Sequence, residues 1–103
     1  SRITDIYRNI GTGFFYSNKE KEGINYFEMS IKEELKKKKK IQISLQQQSQ
    51  AGNSLATQKL NQILLGCKNN LYTLHMNTGA MYHTIGDSVK ANEYGKLGEQ
   101  YKN

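Results

Sequence analysis

Apolar residues at Ile3, Ile6, Tyr7, Ile10, Phe14 and Phe15 recur at the i, i+3, i+4, i+7 spacing of an amphipathic helix, and strand alternation fits them badly. The polar stretch from Ser17 to Lys21 breaks this stripe. A second one follows at Ile24, Phe27, Ile31 and Leu35, so the first 35 residues predict an antiparallel helical hairpin. From Leu55 the helical pattern resumes through Ala56, Leu60, Ile63, Leu64 and Cys67, then Leu71, Leu74, Thr78, Tyr82 and Ile85. Gly66 and Asn69-Asn70 predict an interruption between two helices there. A turn at Gly86-Asp87-Ser88, with Asp87 or Ser88 as N-cap, leads into a last helix from Val89 to Tyr101 with the stripe Ala91, Tyr94, Leu97 and Tyr101. The expected fold class is all-α: hairpins at residues 1–35 and 55–103, the latter including a linking helix, around a middle segment at 36–54.

That middle segment holds Lys36, Lys37, Lys38, Lys39 and Lys40, a short Ile41, Ile43, Leu45 alternation, and a glutamine-rich run. With little to bury, it predicts a helix extension followed by a loop, as an insertion or a degenerate repeat. It also carries most of the formal net charge of +6. A chain of 103 residues with 36% hydrophobic content and a mean hydropathy of −0.78 supports only a thin core, which excludes a multidomain enzyme. No apolar run is long enough to span a membrane, and no secretory leader is visible. The single cysteine, Cys67, removes the disulfide route and favours a reducing compartment such as the cytoplasm.

An internal repeat organises the rest. Asn9-Ile10-Gly11 with Phe14 matches Asn77-Thr78-Gly79 with Tyr82; small residues follow at Gly23 and Ala91, and tyrosines at Tyr26 and Tyr94, all at one offset of 68, twice 34. Gly11 and Gly79 would let the first helix of each pair approach the second, Phe14 and Tyr82 would fill the gap, and Gly23 or Ala91 would be the small contact opposite. These spacings resemble the tetratricopeptide repeat, a 34-residue helix-turn-helix unit. The likeness is good over Gly79–Tyr94 and fair over Tyr7–Leu35. Neither unit has a closing proline, and Gly95 and Gly98 depart from the family and predict a fraying last helix. Within the family, Ser1-Arg2 with Arg8–Gly11, Gly23–Glu28 and Ala91–Lys96 are similar to the tetratricopeptide subunit of the outer-dynein-arm docking complex of cilia. That likeness covers about 60 residues and skips the middle.

The resemblance implies a non-catalytic scaffold of stacked helical hairpins, an α-solenoid, that binds protein in a groove lined by the first helices of its hairpins. In the family register the groove residues would be Asp5, Arg8, Asn9, Thr12, Phe15 and Tyr16, then Thr73, Met76, Asn77, Ala80, His83 and Thr84. Implied partners are coiled-coil docking-complex subunits, dynein or tubulin, and the implied setting is the axoneme. No cofactor is called for. Two alternatives stand beside this reading. The lysine run could bind the acidic tails of tubulin or the phosphates of RNA, although no aromatics interleave it as on a single-strand platform. Alternatively, the chain could be a structural piece of a longer array.

Candidate chemistry is sparse. Cys67, His75 and His83 are spaced by eight and eight, which on one helix rotates about 80 degrees per step, so they do not converge on a metal. His75 and Cys67 read more simply as packing residues. Glu33 and Glu34 are adjacent and diverge around a helix, and Gly11-Thr12-Gly13 lies inside a helical stripe where no dinucleotide loop forms. No active site is expected.

Overall fold

The computed structural model describes residues 2–102; Ser1 and Asn103, including the Ser1 of the docking-complex likeness, lie outside them. All regular structure among these residues is helical: α1 (Arg2–Tyr16), α2 (Glu20–Gln50), α3 (Ser54–Thr84) and α4 (Ser88–Glu99). Each helix packs on the next in chain order, α1 on α2, α2 on α3 and α3 on α4. The two central helices are twice the length of the outer ones. At 1.5 Å per residue each of them spans about 46 Å, close to the long dimension of 51 Å.

The three turns fall 34 residues apart. Asn18, Gly52 and Gly86 carry the positive φ values of 63°, 71° and 88°. After each, the next N–H reaches back five residues: Lys19 donates to the Phe14 carbonyl at 3.0 Å, Asn53 to Gln48 at 3.0 Å and Asp87 to Tyr82 at 2.9 Å. This is the Schellman closure, which left-handed backbone at one residue makes possible. The following helices start on side-chain caps where the residue allows it. Asn53 Oδ1 accepts from Ala56 N–H at 3.1 Å and Asp87 Oδ1 from Lys90 N–H at 3.0 Å, whereas Lys19 makes no such bond.

The expected breaks inside the long helices are absent. Helix α2 runs without interruption through the lysines and glutamines to Gln50, so the segment beyond Lys40 is helix where a loop was expected. The Ile41/Ile43/Leu45 alternation has no partner strand. Instead, buried Ile41 and half-buried Leu45 meet Leu60, Leu64 and Cys67 across an antiparallel helix pair, while Ile43 faces water. Helix α3 likewise passes straight through Gly66 and Asn69-Asn70. One glycine costs a helix about 1 kcal/mol, less than continuous packing along the partner returns. Residues 36–68 thus form a two-helix arm extending beyond the four-helix end where α1 and α4 lie.

Which stripe is buried also differs from the periodicity. On α1 the buried residues are Thr4 and Gly11, while Ile3, Ile6 and Ile10 are 51%, 47% and 38% exposed. On α2, Ile24, Phe27 and Ile31 are buried, but Glu34 takes the inward position and Leu35 is exposed. On α4 the inward face is Ala91, Tyr94, Gly98 and Tyr101, and Leu97 points outward. Leu55, Ile63 and Ile85 are exposed as well. Gly98 is a point of close approach: a Cβ there would meet Met76 Cε at 2.8 Å and His75 Cβ at 3.0 Å. Helix α4 passes through both glycines and ends at Glu99, two residues before the expected Tyr101.

Candidate functional site

The two outer hairpins repeat each other contact by contact. Gly11 lies so close to α2 that an added Cβ would meet the Gly23 carbonyl oxygen and Phe27 Cδ1, each at 2.8 Å; Gly79 has the Ala91 carbonyl at 3.1 Å. Phe14 stacks on Tyr26 and Tyr82 on Tyr94, both at 5.5 Å between centroids, with interplanar angles of 10° and 19°. A further ring joins each pair at the same offset, Tyr7 against Tyr26 at 6.1 Å and His75 against Tyr94 at 5.9 Å, both inclined at 44°. The six residues read from sequence as repeat packing (Gly11, Phe14, Gly23, Gly79, Tyr82 and Ala91) all lie in these two contacts.

Glu28 ties one hairpin to the other. Its Oε2 accepts from the Tyr82 hydroxyl at 2.9 Å and from the Tyr94 hydroxyl at 2.6 Å. Burial and this carboxylate raise both phenols, Tyr82 to about 12. Sequence reasoning missed Glu28, because its partners lie 54 and 66 residues away. Beside it Glu34 is fully buried. Burial pushes its carboxyl up, but hydrogen bonds, among them from Cys67, Thr4 and Asn70, outweigh this and hold it below its usual value. Cys67 is 1% exposed, and burial next to Glu34 lifts its thiol to about 11. His75 is held neutral by burial, with Nδ1 2.7 Å from the Leu71 carbonyl. His83 is exposed at the far end of α3, so the unbroken helix keeps Cys67, His75 and His83 about 12 Å apart step by step.

An open groove of about 300 Å³ lies between α1 and α3. Thr12, Phe15 and Tyr16 line it from α1, and Asn77, Ala80, Met81 and Thr84 from α3, with Phe27 of α2 between them. Of the groove residues read from sequence, Thr12, Phe15 and Asn77 are brought together here, along with Tyr16, Ala80 and Thr84. Arg8 instead pairs with Asp5 at 3.3 Å, and Asn9 is exposed outside the lining. Met76 packs against Gly98 of α4, and His83 does not line the groove. Phe27 and Met81 were not anticipated as lining residues: periodicity places Phe27 in the core stripe of α2 and leaves Met81 outside the stripe of α3.

The arm gathers charge. Residues 36–68 contain seven lysines, Lys59 and Lys68 in addition to the run of five, and no carboxylate, while the rest of the chain is nearly balanced. Lys36 pairs with Glu33 at 3.3 Å and Lys38 lies 5.4 Å over the Tyr101 ring, whereas Lys39 and Lys40 are exposed. No helix among the described residues is long and apolar enough to cross a membrane.

These features define an all-helical protein whose four helices pack in sequence, with an internally repeated hairpin at the four-helix end. Comparison with protein-family models, curated proteins and solved structures gives no match.

Proposed function

We propose that the chain is a non-catalytic scaffold of tetratricopeptide type that binds an extended segment of a protein partner in the groove between α1 and α3. The observation that carries this is the groove's make-up: an apolar floor of Phe15, Phe27 and Met81 beneath Thr12, Asn77 and Thr84. Asn77 can donate to and accept from a peptide backbone, while the floor takes alternate apolar side chains. Peptides selected by display against the chain are expected to shift the NMR resonances of Thr12, Tyr16, Asn77 and Thr84. Ala80→Arg, at an exposed position that fills the groove without entering the core, is expected to weaken them at least tenfold. Unchanged binding by that variant overturns the reading. The setting that the resemblance implies, the docking complex of outer dynein arms, is tested by recruitment of the chain to doublet microtubules by coiled-coil docking subunits, with the same Ala80→Arg control.

A second reading rests on the arm. Seven lysines without a carboxylate form an electropositive surface suited to an acidic polypeptide such as a tubulin tail. Replacing Lys36–Lys40 by glutamine is expected to abolish co-sedimentation with microtubules and to remove its salt dependence. Binding that survives both the substitution and high salt excludes the electrostatic version.

A further inference from the structure

The 68-residue repeat makes the outer face of α1 interpretable. Ile3, Ile6 and Ile10 correspond to Leu71, Leu74 and Thr78 on α3. In α3 these three are 0%, 1% and 0% exposed, Leu71 and Leu74 in one cluster with Ile24, Phe27 and Ile31 of α2. In α1 the same register positions are apolar yet stand in water. On α3 the equivalent face is covered by α2, a helix that runs antiparallel to it. The opposite end is built differently. The positions of α4 that correspond to Ile24, Phe27, Glu28 and Ile31 are Asn92, Gly95, Lys96 and Glu99, a polar outer surface.

We infer that the Ile3/Ile6/Ile10 face of α1 is a docking surface for an amphipathic helix from outside residues 2–102, running antiparallel to α1 and patterned like α2, with Ile-x-x-Phe-Glu-x-x-Ile at the contact. Three features specify this occupant. Its apolar spacing is that of Ile24, Phe27 and Ile31, which cover the equivalent face of α3. Its carboxylate would meet Tyr26, which occupies the position of Tyr94, the residue that donates to Glu28 at 2.6 Å. It does not come from a second copy stacked head to tail, because the α4 positions matching Ile24, Phe27 and Ile31 are Asn92, Gly95 and Glu99 and the apolar face of α2 is already covered by α3. The surface lies on the flank of α1 away from Thr12 and Tyr16, so it is distinct from the groove.

The test uses the full chain with Ile methyl labelling and a synthetic peptide of residues 20–35 as the stand-in helix. The expected result is selective shifts of the Ile3, Ile6 and Ile10 methyls. Binding should weaken at least tenfold for a peptide carrying Ile24→Asn, Phe27→Gly and Ile31→Glu, the residues found on α4. The same loss is expected for Ile6→Glu and for the milder Ile6→Gln in the chain, both with an unchanged far-UV spectrum. Absence of shifts at these methyls overturns the inference. So does a concentration-dependent homodimer in sedimentation that Ile6→Glu abolishes, since the face would then serve a second copy.

Discussion

Gly11 and Gly13 sit two residues apart on α1, and the same substitution to alanine should move stability in opposite directions. Nothing lies within 4 Å of a Cβ added at Gly13, so Gly13→Ala gains only the helix preference of alanine, about 1 kcal/mol. At Gly11 the added carbon would stand 2.8 Å from the Gly23 carbonyl oxygen, 2.8 Å from Phe27 Cδ1 and 3.0 Å from Tyr26 Cβ. The carbonyl belongs to helical backbone and Phe27 to the core, so neither gives way cheaply. Overpacking of this kind costs about 1–3 kcal/mol, and because three atoms of the packed helix α2, one of them backbone, stand within 3.0 Å the upper end applies. Offset by the alanine preference, the net loss is about 2 kcal/mol, which separates the two variants by about 3 kcal/mol. For a domain of this size that is a gap of about 12 °C or more in Tm. Gly79→Ala, with its nearest atom at 3.1 Å, should fall between them. Thermal melts followed by circular dichroism, with urea titrations as a second measure, give the order. If Gly11→Ala raises Tm as Gly13→Ala does, the close approach of α1 to α2 is wrong, and with it the repeat contact on which the docking surface rests.

Four other outcomes follow from the buried polar groups. Stability should fall as pH rises from 10 through about 12, because unfolded tyrosine ionises first while Tyr82 is held protonated by burial and Glu28; Tyr82→Phe should flatten that slope in a Tm profile. Glu28→Gln keeps an acceptor but loses the charge, at a cost of about 1 kcal/mol, and a double-mutant cycle with Tyr94→Phe should show positive coupling. On acidification, stability should decline below 6.5, where unfolded His75 takes a proton that the folded site resists. It should decline again below 4.5, where the lowered Glu34 carboxyl resists protonation longer than its unfolded counterpart; His75→Gln should remove the first step alone. Cys67, buried and with its thiol raised to about 11, should react with a thiol reagent only at the rate of unfolding, and rapid labelling of the folded chain would contradict its burial.

Much of this was legible from residues near one another in sequence. Helical spacing, the Asp87 cap and the paired positions Gly11/Gly79, Phe14/Tyr82 and Gly23/Ala91 depend on local periods and on a fixed offset, which a single chain displays. Most of the groove lining followed from the tetratricopeptide register that the chain resembles: Thr12, Phe15, Tyr16, Asn77, Ala80 and Thr84 are six of its eight residues. The continuity of α2 and α3 was not legible. Gly66 and Asn69 are weak helix formers taken alone and the glutamine run offers little to bury, and only the partner helix alongside makes uninterrupted helix the better state. Glu28 and Glu34 were missed because their partners are dozens of residues away.

Burial is where local pattern and tertiary structure separate most sharply. Ile6 and Leu74 occupy the same repeat position, on helices of the same kind, with side chains of the same volume and hydrophobicity; one is 47% exposed and the other 1%. The sequence by itself determined that both positions are apolar, that each lies on a helix, and that the two hairpins repeat at an offset of 68 residues. It could not determine which is covered, because burial is a property of the neighbour and not of the residue. Only the packing of α2 against α3, with no corresponding helix against that face of α1 among the described residues, decided that.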